Sequence, residues 1–206
     1  MNVEKLKNRD YVLVIDKSGS MTANDCAGGK SRWEACQEST MAIATKLAEY
    51  DPDGITVVPF AGSFKVYEST TPAKVGDIFK ENEPMGGTVL APVLRAVFES
   101  YNKRKAAGQA KPNGEILLVV TDGQPQDESE VAREIVKFGN TLANGDSEYG
   151  ISFLQVGRDA GAAAFLKKLD DDLQAQGAKF DIVDTKTMEE IENIGLTEAL
   201  VASLTD

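Results

Sequence analysis

Residues 11–21, YVLVIDKSGSM, decide the predicted fold of this chain. They begin with a short β-branched apolar run without polar alternation, which is typical of a strand buried on both faces. The run ends at Asp16, and Ser18 and Ser20 then follow on either side of Gly19. A buried strand that ends in a carboxylate and two hydroxyls indicates a site at one edge of a sheet, if other polar residues converge there.

The rest of the chain alternates apolar strand patterns with amphipathic helix patterns. The predicted strands are 11–16, 54–60, 64–69, 114–123, 149–157 and 178–184. The predicted helices are 32–50, 72–81, one from about residue 92, 127–142, 161–173 and 187–204. Strand 64–69 is expected to pair back on 54–60 through a short turn, as an antiparallel edge strand. Strand 114–123 is the most continuous apolar run and is expected at the centre of the sheet.

Strands and helices that alternate at this length predict a doubly wound α/β fold. We expect a Rossmann-like three-layer sandwich over residues 1–206 as a single domain. Its six-stranded sheet is predicted to be mostly parallel, with one antiparallel edge strand. In such sheets, ligands bind beyond the carboxyl ends of the strands, where the strand order reverses. Asp16 and Asp122 each end a predicted strand, so we expect their carboxylates to meet at that crevice.

Composition excludes several classes of function. The chain has 206 residues and a formal net charge of −11, and an acidic surface repels nucleic acid and anionic membranes, so neither is a predicted partner. It contains no histidine, which excludes Ser-His-Asp and Cys-His catalysis and histidine-based zinc sites. The charged N-terminus lacks the apolar stretch of a signal peptide, so we predict a cytoplasmic protein.

Oxygen donors come from three separate segments of the sequence. Asp16, Ser18 and Ser20 form the first, Thr88 follows a Gly-Gly pair, and Asp122 ends the run ILLVVTD. Hard divalent cations prefer such a set, which contains neither nitrogen nor sulfur. We therefore predict one bound divalent cation, Mg²⁺ in the first place and Mn²⁺ or Ca²⁺ as alternatives. Two carboxylates balance its charge and leave a coordination position for an outside anion.

This pattern resembles the metal-ion-dependent adhesion site of the von Willebrand factor A domain. The motif D-x-S-x-S falls on Asp16, Ser18 and Ser20, its threonine on Thr88 and its distal aspartate on Asp122. The predicted order of strands and helices matches over nearly the whole chain. The resemblance implies that the hydroxyls contact the metal directly or through water, and that the aspartates act largely through bound waters. It also implies that an Asp or Glu side chain of a partner protein completes the coordination.

The first loop is longer than in compact members of that family, and we expect it to shape the rim of the site. Met21, Asn24, Gly87 and Gln124 are the predicted rim residues that contact the partner. For an intracellular chain with this motif, the resemblance implies an adaptor or assembly role. The predicted function is therefore protein binding that depends on a divalent cation, and not catalysis.

A nucleotide-binding loop is one alternative that the sequence leaves open. The segment GGKS, residues 28–31, lies between a predicted strand and a predicted helix, as a phosphate-binding loop does. The full motif G-x-x-x-x-G-K-[ST], however, requires glycine where Asn24 stands. Ser31 and Glu34 also form the S-x-x-E capping box of a helix, which accounts for Ser31 without a phosphate.

A second alternative is a metal-dependent phosphohydrolase or phosphotransferase that uses Asp16 as its nucleophile. Enzymes of the haloacid dehalogenase type also end their first strand in aspartate, but they require a second aspartate where Ser18 stands. A serine hydroxyl cannot act as that general acid near neutral pH. A third interpretation is a strand-end turn, because Asp, Ser and Gly are common turn residues. It does not explain why Thr88 and Asp122 are expected at the same edge.

Overall fold

The computed structural model describes residues 3–202, which form a six-stranded sheet with helices on both faces. The strands are β1 Asp10–Asp16, β2 Ile55–Phe60, β3 Tyr67–Thr70, β4 Glu115–Thr121, β5 Tyr149–Gln155 and β6 Val183–Thr187. The α-helices are α1 Arg32–Leu47, α2 Pro72–Glu81, α3 Ala91–Ala106, α4 Glu128–Gly139, α5 Ala160–Asp172, α6 Met188–Ile194 and α7 Leu196–Ala202. The predicted α/β class and the alternation of elements are confirmed.

The sheet has the strand order β3-β2-β1-β4-β5-β6. Neighbouring strands are parallel except β2 and β3, which are antiparallel at one edge, as predicted. The direction of winding reverses between β1 and β4, so the crevice of this fold lies beyond the carboxyl ends of those two strands. Asp16 is the last residue of β1, and Asp122 directly follows β4. Both predicted carboxylates therefore lie at the reversal.

Each face of the sheet carries its own apolar core, because successive side chains of a strand point to opposite faces. Val12 and Val14 of β1 pack into the core that contains residues of α3, α4 and α5. Leu13 and Ile15 pack into the core that contains residues of α1, α2, α6 and α7. All seven residues of β4 are buried, as expected for a central strand. The strand ends at the crevice are thereby held from both sides.

The structure differs from the prediction at the last strand. Residues 178–182 lie outside β6, which begins at Val183. Asn140, at the end of α4, accepts a hydrogen bond from the Lys179 N–H at 2.7 Å and donates one to the Gly177 carbonyl at 3.0 Å. These two bonds occupy the backbone of the segment, so it runs as a loop before it joins the sheet.

The third strand and the closing helix also differ from the prediction. The chain bridges back at Phe64, but β3 begins only at Tyr67. The predicted closing helix is broken into α6 and α7 at Gly195, whose φ is 87°. A right-handed helix cannot continue through that conformation. Residues 203 and 204 of the predicted helix lie outside the described residues. Among residues 3–202, no helix combines the length and apolar character needed to cross a membrane.

Candidate metal site

Asp16 is fully buried at the end of β1, and each of its carboxylate oxygens accepts a hydrogen bond. Oδ1 accepts from the backbone N–H of Ser18 at 2.7 Å, and Oδ2 accepts from the hydroxyl of Thr121 at 2.7 Å. Burial raises the pKa of Asp16 to about 6, against the opposing effect of these hydrogen bonds. Asp16 thus shapes the loop after β1 and links that loop to the end of β4.

The hydroxyls of Ser18 and Ser20 converge with Asp122. The two Oγ atoms lie 3.0 Å apart, and Ser20 Oγ donates to Asp122 Oδ1 at 2.9 Å. A short 3₁₀ turn, Gly19–Thr22, turns the chain so that both serines meet the end of β4. Ser18 is buried, whereas Ser20 is exposed. The group of oxygens is therefore accessible from the side of Ser20.

Thr88 reaches the same edge of the sheet through the backbone contacts of its loop. The Gly19 N–H donates to the Gly86 carbonyl at 2.9 Å, and the Gln126 N–H donates to the Thr88 carbonyl at 2.9 Å. The loop that carries Thr88 is thus bonded to the loop after β1 and to the loop after β4. Asp16 ends β1, and the other four residues predicted as metal ligands lie in these three adjoining loops.

Asp127 fastens the same loops, which the sequence did not reveal. Its carboxylate accepts hydrogen bonds from the N–H groups of Leu90 and Ala91, at 3.0 and 2.8 Å. These donors lie at the start of α3, where backbone N–H groups lack intrahelical partners. Asp127 was predicted to open α4, and it does precede that helix. Its side chain, however, caps α3 and so holds the end of the loop that carries Thr88.

Arg32 is a second residue that the sequence analysis missed. Its Nη1 donates to Asp122 Oδ2 at 2.8 Å, while its Nε and Nη2 donate to Asp25 at 2.9 and 2.6 Å. Both oxygens of Asp122 therefore have a partner, Ser20 on one and Arg32 on the other. The sequence carried one signal: Arg32 lies in the first turn of α1, where the helix dipole disfavours a cation.

The four residues predicted to form the rim differ in their exposure. Asn24 and Gln124 are exposed, and Gly87 is half-buried beneath the side chain of Gln126. The prediction for Met21 is wrong, because its side chain is fully buried in the core on the α1 side of the sheet. The 3₁₀ turn that exposes Ser20 directs Met21 inward. Met21 supports the loop from below and cannot contact a partner.

A separate acidic cluster lies at the opposite edge of the sheet. Asp10, at the start of β1, and Asp51 and Asp53, before β2, have carboxylate oxygens within 4.8 Å of one another. Lys111 lies among these carboxylates: its Nζ contacts Asp51 directly and lies 2.6 Å from Asp53 and 3.3 Å from Asp10. We therefore assign these residues to an ion-pair network and not to a metal site.

The segment from β1 to the loop after β4 identifies the family. The family model described as von Willebrand factor type A domain matches residues 11–124, more than half of the chain. The chain belongs to this family. The matched segment of the von Willebrand factor A domain runs from β1 to the loop after β4 and includes all five predicted ligands. No curated protein matches the chain.

A solved structure shows the same fold. The crystal structure of the manganese-loaded TRAP protein of Plasmodium vivax is similar to this von Willebrand factor A domain, with a TM-score of 0.62. The similarity covers 97% of this chain and 74% of that chain, at 13% sequence identity. Agreement at such low identity shows the fold alone.

The residues at the crevice fit a divalent cation by their chemistry. The hydroxyls of Ser18 and Ser20 and the buried carboxylate of Asp122 form a connected set of short oxygen–oxygen contacts. The buried carboxylate of Asp16 adjoins this set through its hydrogen bond from the Ser18 N–H. Mg²⁺, Mn²⁺ and Ca²⁺ all take oxygen ligands, and a divalent charge suits two carboxylates. The von Willebrand factor A domain thus presents a donor set that suits one such ion.

Proposed function

We propose that this von Willebrand factor A domain binds a protein partner through one divalent cation. Asp16, Ser18, Ser20, Thr88 and Asp122 would hold the ion, with Mg²⁺ as the first candidate. When bound, the ion would supply a positive centre, and an Asp or Glu side chain of the partner would complete its coordination. The observation that carries the proposal is the meeting of Ser18, Ser20 and Asp122 at the reversal between β1 and β4.

The surroundings of the site support binding to a macromolecule. Ser20 is exposed at the open side of the oxygen set, and Asn24 and Gln124 are exposed on two of the loops around it. Hydrogen bonds between the loops hold the site before any partner arrives, so little ordering is required on binding. A site held in this way at the ends of two strands suits an adaptor that presents one fixed contact point.

The geometry favours binding over the two enzymatic alternatives. Asp16 is fully buried, so a phosphate group cannot approach its carboxylate closely enough for nucleophilic attack. Lys30 forms an ion pair with Glu38 at 2.6 Å, and Ser31 caps α1 by accepting from the Glu34 N–H at 3.1 Å. These residues of the GGKS segment are therefore accounted for by the start of α1.

Partner capture tests the proposal. Immobilised protein is incubated with an extract of the cells that express it, in millimolar Mg²⁺ or in EDTA. We expect proteins that are retained by the wild type in Mg²⁺ and lost by at least tenfold in EDTA, because the cation joins the two surfaces. The same proteins should be lost by Ser18→Ala/Asp122→Ala, which removes two of the proposed ligands.

A matched variant makes the comparison specific. Ser129→Ala/Asp171→Ala makes the same two substitutions at exposed positions of α4 and α5, and it should retain the partners. Equal recovery of the same proteins in Mg²⁺ and in EDTA would contradict binding through a metal. Hydrolysis of ATP or of a phosphomonoester that disappears in Asp16→Asn would support the enzymatic alternatives instead.

A further inference from the structure

Arg32 is held between three loops at the candidate site. It binds exposed Asp25 in the first loop and buried Asp122 after β4, and its side chain is only 14% exposed. Gly157, after β5, lies against it so closely that a Cβ there would be 2.8 Å from Arg32 Nε. An arginine packed in this way differs from a solvated surface charge, whose ion pairs contribute little.

The guanidinium changes the charge balance of the oxygen set. Asp16 and Asp122 are both fully buried and together would carry two negative charges, which alone would neutralise a divalent cation. Arg32 adds one positive charge in direct contact with Asp122, at 2.8 Å. Asp25 offsets that charge only in part, because its side chain is 44% exposed and screened by solvent. By formal charge the divalent ion, Arg32 and the three aspartates sum to zero, so the excess positive charge of the loaded site is the part of the Asp25 charge that solvent screens.

The pair also restricts how Asp122 can act. Its Oδ2 is engaged by Arg32, and its Oδ1 accepts from the Ser20 hydroxyl, which in turn contacts the Ser18 hydroxyl. A cation among those hydroxyls would meet one oxygen of Asp122 and would be repelled by the guanidinium on the far side. Removing the positive charge of Arg32 should strengthen cation binding, since the repulsion between two neighbouring positive charges is large in a partly buried site.

We propose that Arg32 is a positioning residue that weakens binding of the cation alone and makes firm binding depend on an anionic group of the partner. This inference rests on the proposed function. Arg32 couples the binding of the cation to the binding of the partner carboxylate. An incoming carboxylate neutralises the excess positive charge, so each of the two strengthens the binding of the other. By linkage, the two enhancements must be equal.

Titration calorimetry with Mn²⁺ and with Mg²⁺ alone tests the first half of the inference. Arg32→Gln should bind Mn²⁺ about tenfold more tightly than the wild type, because the repelling charge is gone. Arg32→Lys keeps the charge and should stay closer to the wild type. Arg133→Gln makes the same change in net charge at an exposed position of α4 and should leave the affinity unchanged.

Acetate, as a carboxylate probe, tests the second half. Added at constant ionic strength against chloride, acetate should tighten Mn²⁺ binding by a larger factor in the wild type than in Arg32→Gln. Asp25→Asn removes the partial counter-charge of Arg32 and should weaken Mn²⁺ binding a few-fold, and it leaves Asp122 paired in case Arg32→Gln does not fold. Unfolding midpoints in EDTA establish that each variant is folded.

The outcomes separate this inference from the proposed function. If the wild type binds Mn²⁺ and folded Arg32→Gln binds it no more tightly, the role of Arg32 is overturned and the metal site stands. An equal acetate effect in both proteins, or unchanged affinity in Asp25→Asn, also overturns it. If the folded wild type binds neither cation, both without acetate and with it, the proposed function fails and the inference fails with it.

Discussion

Saturating Mg²⁺ is expected to raise the melting temperature of the wild-type protein by about 5–10 °C, and Ser18→Ala/Asp122→Ala is expected to abolish this rise. An ion that binds only the folded state adds about 2.7 kcal/mol of stability at one hundred times its Kd. For a chain of this size, each kcal/mol corresponds to about 2–4 °C. The ion is expected to bind only the folded state, because unfolding separates the two buried carboxylates of Asp16 and Asp122.

Thermal unfolding in EDTA and in millimolar Mg²⁺, Mn²⁺ or Ca²⁺ measures this directly and ranks the three ions. The quantity to compare is the shift caused by the cation, because Ser18→Ala and Asp122→Ala also change the stability of the metal-free protein. Ser129→Ala/Asp171→Ala, on the surfaces of α4 and α5, should show the full shift. A shift that persists in the ligand variant would place the ion elsewhere, and no shift in the folded wild type would remove the support for a cation.

Gly114→Ala is expected to destabilise the protein by about 3 kcal/mol or more. Gly114 lies just before β4 with a φ of 76°, and a Cβ there would be 1.7 Å from the carbonyl oxygen of Glu148. That same oxygen accepts a hydrogen bond from the Glu115 N–H at 3.0 Å. Alanine would therefore add a clash with backbone to the cost of a left-handed conformation, and it would disturb the pairing of the central strand β4 with its neighbour β5.

A second glycine separates the cost of the clash from the cost of the left-handed conformation. Gly108, after α3, has a φ of 69°, and a Cβ there would meet no atom within 4 Å. Gly108→Ala should therefore cost only the conformational penalty, about 1–2 kcal/mol. Urea unfolding of the wild type and the two variants in EDTA, with equal slopes for the three proteins, gives the loss of free energy of unfolding in each variant. Equal losses in the two variants would show that the close approach to Glu148 is relieved without cost.

Much of the fold follows from local pattern. The continuous apolar runs of β1 and β4 predict central strands, because a strand covered by helices on both faces has no need of polar alternation. The same reasoning placed β6 too early: Ile182 is buried as a strand residue would be, but Asn140 binds the backbone of the preceding loop. A hydrogen bond between segments 39 residues apart leaves no periodic trace in the sequence.

The sequence by itself determined which oxygen donors this protein has and where they lie. Asp16 and Asp122 follow apolar runs, and parallel strands bring their carboxyl ends to one edge, so local hydrophobicity was enough to place them. Only the tertiary structure decided what surrounds the donors. It buries Met21, uses Asp127 to cap a helix 36 residues before it, and sets Arg32 against Asp122 across 90 residues of chain. These contacts depend on how separate elements pack in three dimensions, and no spacing along the chain encodes those distances.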